Sequence, residues 1–223
     1  MRSIAKLMKD WQFTGPNGVT TAVELPHTWN ARDGQDGGND YWRGCCTYCT
    51  RFAAPVYDPA QQQVWLQFEG VNASAAVLLN GQQLCTHDGG YSTFRAEVTE
   101  LLQAENQLTV RVDNSVNDRV YPQKADFTFY GGIYRDVSLL VVNKSHIALG
   151  HFGDTGVKIT PALQENSADI QVETLVEGSG TVTVELLDAE GRTVAKGEGE
   201  NASLHLDAPH LWNGVKRSEE HTS

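Results

Sequence analysis

The stretch from Asp126 to Val137, Asp-Phe-Thr-Phe-Tyr-Gly-Gly-Ile-Tyr-Arg-Asp-Val, holds residues suited to hydrogen bonding and stacking with a small polar ligand. Its first half is an aromatic-lined loop that carries one carboxylate, Asp126. The Gly131-Gly132 pair lets the backbone turn sharply, because glycine tolerates positive φ. Carboxylates accept hydrogen bonds from hydroxyl groups strongly, and aromatic rings cover the apolar faces of a pyranose. This combination favours a sugar-binding loop.

Alternating apolar and polar residues predict the strands that must position this loop. Val64, Leu66 and Phe68 alternate with more polar neighbours and predict a strand with one buried face, and the same pattern runs from 133 to 141. Asn80-Gly81 stands between two such runs and predicts a hairpin with a type I′ turn. A short helical turn is expected over 98–103, and an edge strand over 11–13.

The whole pattern predicts an all-β protein. Short strands joined by Gly- and Asn-rich turns over 1–143 are typical of a jelly-roll-type β-sandwich. A second set of alternating strands over 144–214 predicts an incomplete immunoglobulin-like β-sandwich. Residues 215–223 lack strand periodicity. Their last seven residues, Arg-Ser-Glu-Glu-His-Thr-Ser, resemble the translation of a sequencing-library adapter, so we expect 215–223 to be an artefactual tail.

The charge balance excludes some classes of partner. The chain has 223 residues, with 28 acidic against 17 basic side chains and a formal net charge of −11. This argues against nucleic acid and against anionic membrane surfaces, which both require a basic face. The sequence shows no apolar run of signal-peptide or membrane-helix length. We therefore expect a cytoplasmic protein with neither nucleic-acid nor membrane partners.

Two metal hypotheses are weaker than their alternatives. Cys45, Cys46 and Cys49 cluster while Cys85 stands alone, so the paired spacing of a zinc site is missing. We expect reduced, partly buried thiols. The Asp- and Gly-rich loop over 26–40 lacks the ligand spacing and terminal Glu of an EF-hand, so we interpret it as a long connecting loop.

Six short segments together carry a resemblance to a known family. Gly-Gly-Ile-Tyr-Arg-Asp-Val at 131–137 resembles the end of the N-terminal sugar-binding domain of glycoside hydrolase family two, and within that family it looks most like the β-galactosidases. The supporting segments occur in family order and cover about 6–142: Leu25-Pro-His-Thr-Trp-Asn30, Phe68-Glu-Gly-Val-Asn72, Leu79-Asn-Gly81, Gly89-Gly-Tyr91 and Glu105-Asn-Gln-Leu108.

The resemblance implies roles for two residues. Asn72 corresponds to an asparagine that touches the galactosyl group, and Asp126 to an aspartate that binds the same sugar and helps to ligate sodium. Read from the residues alone, Asn72 is a turn residue after a strand and Asp126 a loop carboxylate that caps a backbone amide. If both bind one sugar, their side chains should be partly exposed, unsaturated and within roughly 10 Å of each other. For Arg135, on the face of Ile133 and Val137, we expect a buried structural ion pair.

The function implied is that of an N-terminal fragment of a β-galactosidase-type hydrolase, which supplies sugar-subsite residues and a scaffold for a missing catalytic barrel. Glycoside hydrolysis needs two placed carboxylates, and in the family both are barrel glutamates. Glu69 with Asp126 offers no deep pocket, so we expect no catalytic residue and no cofactor in this chain. The intact parent is expected to use sodium and magnesium, bind a β-galactoside and form a homo-oligomer. The alternative is a free-standing carbohydrate-binding module; β-glucuronidase and β-mannosidase share the architecture.

Overall fold

The computed structural model describes residues 2–31, 42–120, 129–150 and 153–211. Within these ranges the regular elements are β-strands and a single 3₁₀ turn at Thr99–Leu101, where a short helical turn is expected from the sequence. The chain forms two compact units, Met1–Lys144 with Leu149–Asp154, and Ser145–Ala148 with Thr155–Ser223. Among the described residues no helix is long and apolar enough to cross a membrane.

The first unit contains two large antiparallel sheets and one small one. The four-stranded sheet has the order β1 (Ser3–Lys6), β13 (Val137–Asn143), β6 (Gln62–Phe68), β10 (Phe94–Glu97). The six-stranded sheet has the order β3 (Thr20–Val23), β2 (Trp11–Thr14), β5 (Cys45–Ala53), β11 (Glu105–Asp113), β8 (Ser74–Leu79), β9 (Gln82–Asp88). The small sheet has the order β4 (His27–Thr28), β12 (Gly132–Ile133), β7 (Val71–Asn72).

One core joins the two large sheets. Trp11 and Tyr48 from the six-stranded sheet pack in a single cluster with Leu66, Phe68 and Leu139 from the four-stranded sheet, and all five are at most 3% exposed. Because inward residues alternate with outward ones along each strand, this packing defines a β-sandwich. The all-β prediction is confirmed.

The prediction that β6 buries only one face is wrong. Val64 to Phe68 are all buried, and so are Val137 to Val142 on the paired strand β13. Three of the outer positions are apolar: Trp65, Leu140 and Val142 form a second cluster with Leu149. Leu149, which belongs to the same unit, packs on this face. The two central strands therefore carry side chains of two cores.

Two local predictions have opposite outcomes. The Asn80-Gly81 hairpin is confirmed: β8 pairs with β9, and both turn residues have positive φ, 52° and 81°. The edge position predicted for 11–13 is wrong, because β2 lies between β3 and β5. The edge strand is β3, whose sequence Thr-Thr-Ala-Val has no apolar alternation that would mark it as a strand.

The second unit consists of small antiparallel sheets. Its strands are β14 (His146–Ile147), β15 (Val157–Leu163), β16 (Ser167–Thr174), β17 (Val176–Glu177), β18 (Thr183–Leu187), β19 (Thr193–Glu198) and β20 (Asn201–Asp207). They form the sheets β15-β16-β20, β18-β19 and β14-β17. Val172, Ala202 and Leu204 form its buried core. Residues 212–223, which include the expected tail, lie outside the described residues.

Adjacent leucines of β13 test the two-sided burial. Leu139 lies in the main core and Leu140 in the second cluster, and they are 3% and 0% exposed. Leu139→Ala and Leu140→Ala should each lower the free energy of unfolding by about 2–5 kcal/mol, because each leaves a cavity. Urea denaturation of the 223-residue chain measures this. Ile4→Ala, at a side chain 58% exposed, is the control and should change it by less than about 0.5 kcal/mol. A harmless Leu140→Ala would contradict the second cluster.

Candidate functional site

The small sheet brings three distant segments together at one rim of the first sandwich. Gly132 pairs with Thr28 on one side and with Asn72 on the other. Ile133 pairs in the same way with His27 and Val71. The end of the Phe68-Glu-Gly-Val-Asn72 segment therefore lies directly beside the end of the loop that the sequence predicts to bind sugar.

Asn72 is buried in this sheet. It is 2% exposed, and its Nδ2 donates a hydrogen bond of 2.7 Å to the backbone oxygen of Tyr130. The backbone of Gly90 packs against the same amide, so a Cβ added to Gly90 would lie 2.8 Å from Cγ of Asn72. The expectation of a partly exposed, unsaturated Asn72 is wrong, because its side chain is turned under the loop.

Gly131 is held by the segment Thr28-Trp29-Asn30. Its amide nitrogen donates to Oδ1 of Asn30 at 2.8 Å. Its oxygen accepts from Oγ1 of Thr28 at 2.7 Å and from the amide of Trp29 at 3.3 Å. Asn114 adds a hydrogen bond from Nδ2 to Oδ1 of Asn30 at 3.2 Å. We name Asn30, Asn72 and Asn114 the asparagine clamp.

The asparagine clamp connects backbone groups of several loops. Asn30 and Asn114 are both 0% exposed. Nδ2 of Asn30 donates to the oxygen of Trp42 at 2.9 Å, and Oδ1 of Asn114 accepts from the amide of Gly44 at 2.9 Å. A buried polar group without a partner costs about 1–3 kcal/mol, so these bonds fix the loops strongly. The sequence analysis did not identify Asn30 and Asn114 as site residues. Asn30 ends the segment Leu25-Pro-His-Thr-Trp-Asn30, and Asn114 directly follows strand β11.

The Gly-Gly turn leaves no room for side chains. A Cβ on Gly131 would lie 2.7 Å from Nδ2 of Asn114 and would overlap the ring of Trp29. Gly132 has φ +138°, and a Cβ there would lie 2.9 Å from the hydroxyl of Tyr48. The sharp glycine turn predicted from the sequence is confirmed at Gly132, because this backbone conformation disfavours other residues.

Aromatic rings surround the turn with different exposure. Phe129 is 4% exposed and packs inward, whereas the adjacent Tyr130 is 42% exposed. Tyr91 is 56% exposed, its ring centroid is 6.3 Å from that of Tyr134, and the Tyr134 hydroxyl donates to the oxygen of Gly90. The rim therefore presents tyrosine rings beside a fixed backbone turn.

The expectation of a buried ion pair at Arg135 is wrong. Arg135 is exposed, because the strand stops at Ile133 and resumes only at Val137. Its guanidinium lies 5.5 Å from the ring centroid of Tyr134 and donates to the oxygens of Glu69 and Tyr91, at 3.5 Å and 3.4 Å. The side chain is an exposed cation on the tyrosine rim.

Asp126 lies outside the described residues, as do 121–128. Its distance to Asn72, its contact with sugar and its ligation of sodium therefore stay predictions. The described part of the same loop reaches Asn72 through Tyr130. Among the described residues no group of three or more His, Cys, Asp or Glu side chains is placed to hold a metal. The four cysteines are free thiols, with Cys46 buried and Cys45 exposed.

Beneath the rim, an aromatic cluster supports the small sheet. Nδ1 of His27 lies 2.7 Å from the hydroxyl of Tyr48, and the rings of Phe13 and Trp29 stack at 6.0 Å. Burial raises the pKa of Tyr48, so its hydroxyl stays protonated and can donate to a neutral His27. Burial also lowers the pKa of His27. A neutral imidazole is thus the state that the fold favours.

The geometry is that of a two-sheet β-sandwich that presents aromatic rings and a clamped loop at one rim. The family model described as "Glycosyl hydrolase 2 galactose-binding domain-like" matches residues 39–163, more than half of the chain. The chain therefore belongs to this family and corresponds to an N-terminal part of family-two glycoside hydrolases.

The proteins that this chain resembles are named as glycoside hydrolases, which is consistent with the family match. A β-glucuronidase of Bacteroides fragilis is 32% identical and aligns with 94% of this chain and 33% of its own length. A β-galactosidase of Thermoanaerobacter pseudethanolicus is 32% identical over 58% of this chain and 18% of its own. The crystal structure of an FMN-binding β-glucuronidase from Faecalibacterium prausnitzii L2-6 superposes with a TM-score of 0.88 at 35% identity, covering 96% of this chain and 35% of that protein. The chain spans about a third of the length of these two β-glucuronidases.

Replacement of Gly131 tests the close packing of the turn. Gly131→Ala should lower the free energy of unfolding by about 1–3 kcal/mol or more, because the added methyl group overlaps Trp29. The matched control is Gly180→Ala, at a glycine with no atom within 4 Å of its added Cβ, which should change it by less than about 0.5 kcal/mol. Urea denaturation measures both variants. Equal stabilities would contradict the described packing.

Two half-buried histidines predict an acid-sensitive first unit. Burial is the main cause that lowers the pKa of His27 and of His87 from the ordinary value of 6.5. Below pH 6.5 the unfolded chain therefore binds more protons than the folded one, so stability falls as pH decreases toward the folded pKa values. We expect a loss below about 1 kcal/mol per histidine, because solvent screens half-buried rings.

Thermal unfolding between pH 7.5 and about pH 5.5, below the unfolded histidine pKa, measures the slope of the melting temperature against pH. The double variant His27→Gln/His87→Gln should show a shallower slope than the original chain. His205→Gln is the control, because the carboxylate of Asp169 accepts a hydrogen bond from the imidazole, which raises the pKa of His205 and gives its contribution the opposite sign. A slope unchanged by the double variant would refute the assignment.

Proposed function

We propose that this chain is the sugar-binding and scaffolding part of a larger β-glycosidase, whose catalytic glutamates lie in another domain of the same protein. The family match carries this proposal, together with the alignment of nearly the whole chain with about a third of a β-glucuronidase. A free-standing carbohydrate-binding module is less favoured, because the named relatives are much longer hydrolases.

The chemistry of the described rim supports a binding role rather than hydrolysis. Hydrolysis of a glycoside needs two carboxylates about 5–9.5 Å apart, one of them with a raised pKa. The described rim is built from asparagine amides, glycine backbone and tyrosine rings. Glu69 lies next to it, where Oε1 accepts a hydrogen bond from Gln67 at 3.3 Å. We propose that the chain supplies no catalytic residue and that Asp126 contacts the sugar.

The substrate is proposed to be a terminal β-glycoside, with two candidate sugars. The Phe68-Glu-Gly-Val-Asn72 segment and the Asp126 loop favour a β-galactoside. Several relatives aligned over nearly the whole chain carry the name β-glucuronidase, which favours a β-glucuronoside, whereas a structure from Bacteroides fragilis aligned over 96% of the chain is described as a putative β-galactosidase. The exposed Arg135 suits the second candidate, because a guanidinium can hold a uronate carboxylate by paired hydrogen bonds.

The same proposal includes the features of the parent protein that the resemblance implies. They are sodium ligation by Asp126, a magnesium ion, a homo-oligomeric assembly and a cytoplasmic location. None of them depends on the choice between the two sugars.

Assays of two proteins test this function. The complete protein encoded by the source gene should release nitrophenol from 4-nitrophenyl β-glucuronide or β-galactoside, whereas the 223-residue chain alone should release none from either. The preferred glycoside of the complete protein identifies the sugar. Turnover by the short chain that disappears in Asp126→Ala would refute the scaffolding role. Absence of activity of the complete protein on every β-glycoside would refute the glycosidase assignment.

A further inference from the structure

Asn72 holds both sides of the glycine turn at once. Its side-chain Nδ2 donates to the oxygen of Tyr130 at 2.7 Å, on one side of Gly131. Its backbone pairs with Gly132, on the other side of Gly131. The residue thus fixes the point at which the chain leaves the predicted sugar-binding loop and enters the sheet.

The position of Asn72 is poorly suited to direct contact with a ligand. It is 2% exposed, and the backbone of Gly90 packs so closely on its amide that no side chain fits at residue 90. A sugar hydroxyl at this amide would have to displace groups that already contact it, among them the Gly90 backbone and the oxygen of Tyr130. Leaving such buried polar groups without partners costs about 1–3 kcal/mol each.

Tyr130 is the residue that the clamped backbone presents outward. Its side chain is 42% exposed, whereas that of the preceding Phe129 is 4% exposed and packs inward. An aromatic ring with a hydroxyl group offers an apolar face and a polar tip, which suits one face of a pyranose. Because the bond from Asn72 fixes the carbonyl of the same residue, it also fixes the position from which this ring extends.

We infer that Asn72 is a positioning residue whose hydrogen bond sets the place of Tyr130, and that the Tyr130 ring meets the sugar. The inference rests on the proposed glycosidase function, and it gives Asn72 a different role from the sugar contact implied by the family resemblance. Asn72 acts through Tyr130 and has no contact of its own with the sugar.

Variants of Tyr130 test the contact in the complete protein. Tyr130→Ala should lower kcat/KM on the preferred nitrophenyl glycoside about 10-fold, mainly through KM, because the ring binds the ground state and the transition state alike. Tyr130→Phe is the conservative control and should stay within about 3-fold, since it keeps the ring face. An unchanged kcat/KM in Tyr130→Ala would overturn the contact.

A double-mutant cycle tests whether Asn72 acts through Tyr130. Asn72→Asp keeps the side-chain shape but replaces the donor Nδ2 by an oxygen. It should lower kcat/KM about 10-fold when Tyr130 is present and less than about 3-fold in the Tyr130→Ala background, because residues that act as a unit are not additive. Additive losses would overturn the positioning role.

Asn106→Asp is the matched control for this cycle. Asn106 is also 2% exposed, and its Nδ2 donates to the oxygen of Gln103 at 2.7 Å. Asn106 lies near the start of β11. The opposite end of that strand, at Asp113, is the end that pairs with Ser74, two residues after Asn72. Asn106→Asp should destabilise the fold but leave kcat/KM within about 2-fold, as expected for a distant independent site. An equal loss of activity would show a general effect of stability and overturn the inference.

Amide hydrogen exchange of the 223-residue chain tests the positioning without any sugar. Asn72→Asp should speed exchange at the amides of 130–132 about 10-fold relative to Asn106→Asp, since local opening becomes easier. Equal exchange in the two variants would overturn the positioning.

If the complete protein hydrolyses no β-glycoside, the proposed function and the Tyr130 contact both fail, while the exchange result still decides the role of Asn72. If Asn72→Asp does not fold, Asn72→Ser is measured in the same two assays, with the same result required.

Discussion

The first sandwich depends on satisfying the polar groups of one tight backbone turn. Tyr130, Gly131 and Gly132 present peptide groups at a place where three segments meet, and the close approach of Trp29 and Tyr48 excludes side chains from the two glycines. A buried peptide group must find a partner or cost free energy. The asparagine clamp supplies these partners, and each of its members comes from a different segment of the chain. The turn is thus stabilised only when the whole sandwich has assembled.

Packing on both sides of β6 and β13 supports this turn. Strand β13 begins four residues after Ile133, and its residues from Val137 to Val142 are all buried. Strand β6 ends at Phe68, three residues before the strand that contains Asn72. Asn72 therefore lies shortly after one strand with two covered faces, and the glycine turn lies shortly before another. Both positions are thus close in the chain to residues of the two hydrophobic clusters.

Sequence patterns predicted the positions of the strands better than they predicted which side chains pack against each strand. Alternation located β6, β8 and β13, and Asn80-Gly81 located a hairpin, because these signals depend on neighbouring residues only. The second buried face of β6 was missed, since Leu149, which packs on it, is distant in sequence. The same limit applies to the site. Gly131 and Gly132 were identified from their type, whereas the burial of Asn72 depends on Gly90 and Tyr130, and the bond between Asn30 and Asn114 spans 84 positions.

The choice of asparagine for the clamp follows from the chemistry of a neutral amide. An amide can donate and accept at once, so Asn30 accepts from Gly131 and Asn114 while it donates to the oxygen of Trp42. An aspartate at the same place could only accept, and a buried carboxylate would carry a large desolvation cost. Because the clamp carries no net charge, the exposed groups of the rim, among them Arg135, set its electrostatic potential. A sugar that approaches the tyrosine rings would then be selected by those exposed groups, while the buried amides keep the backbone in place.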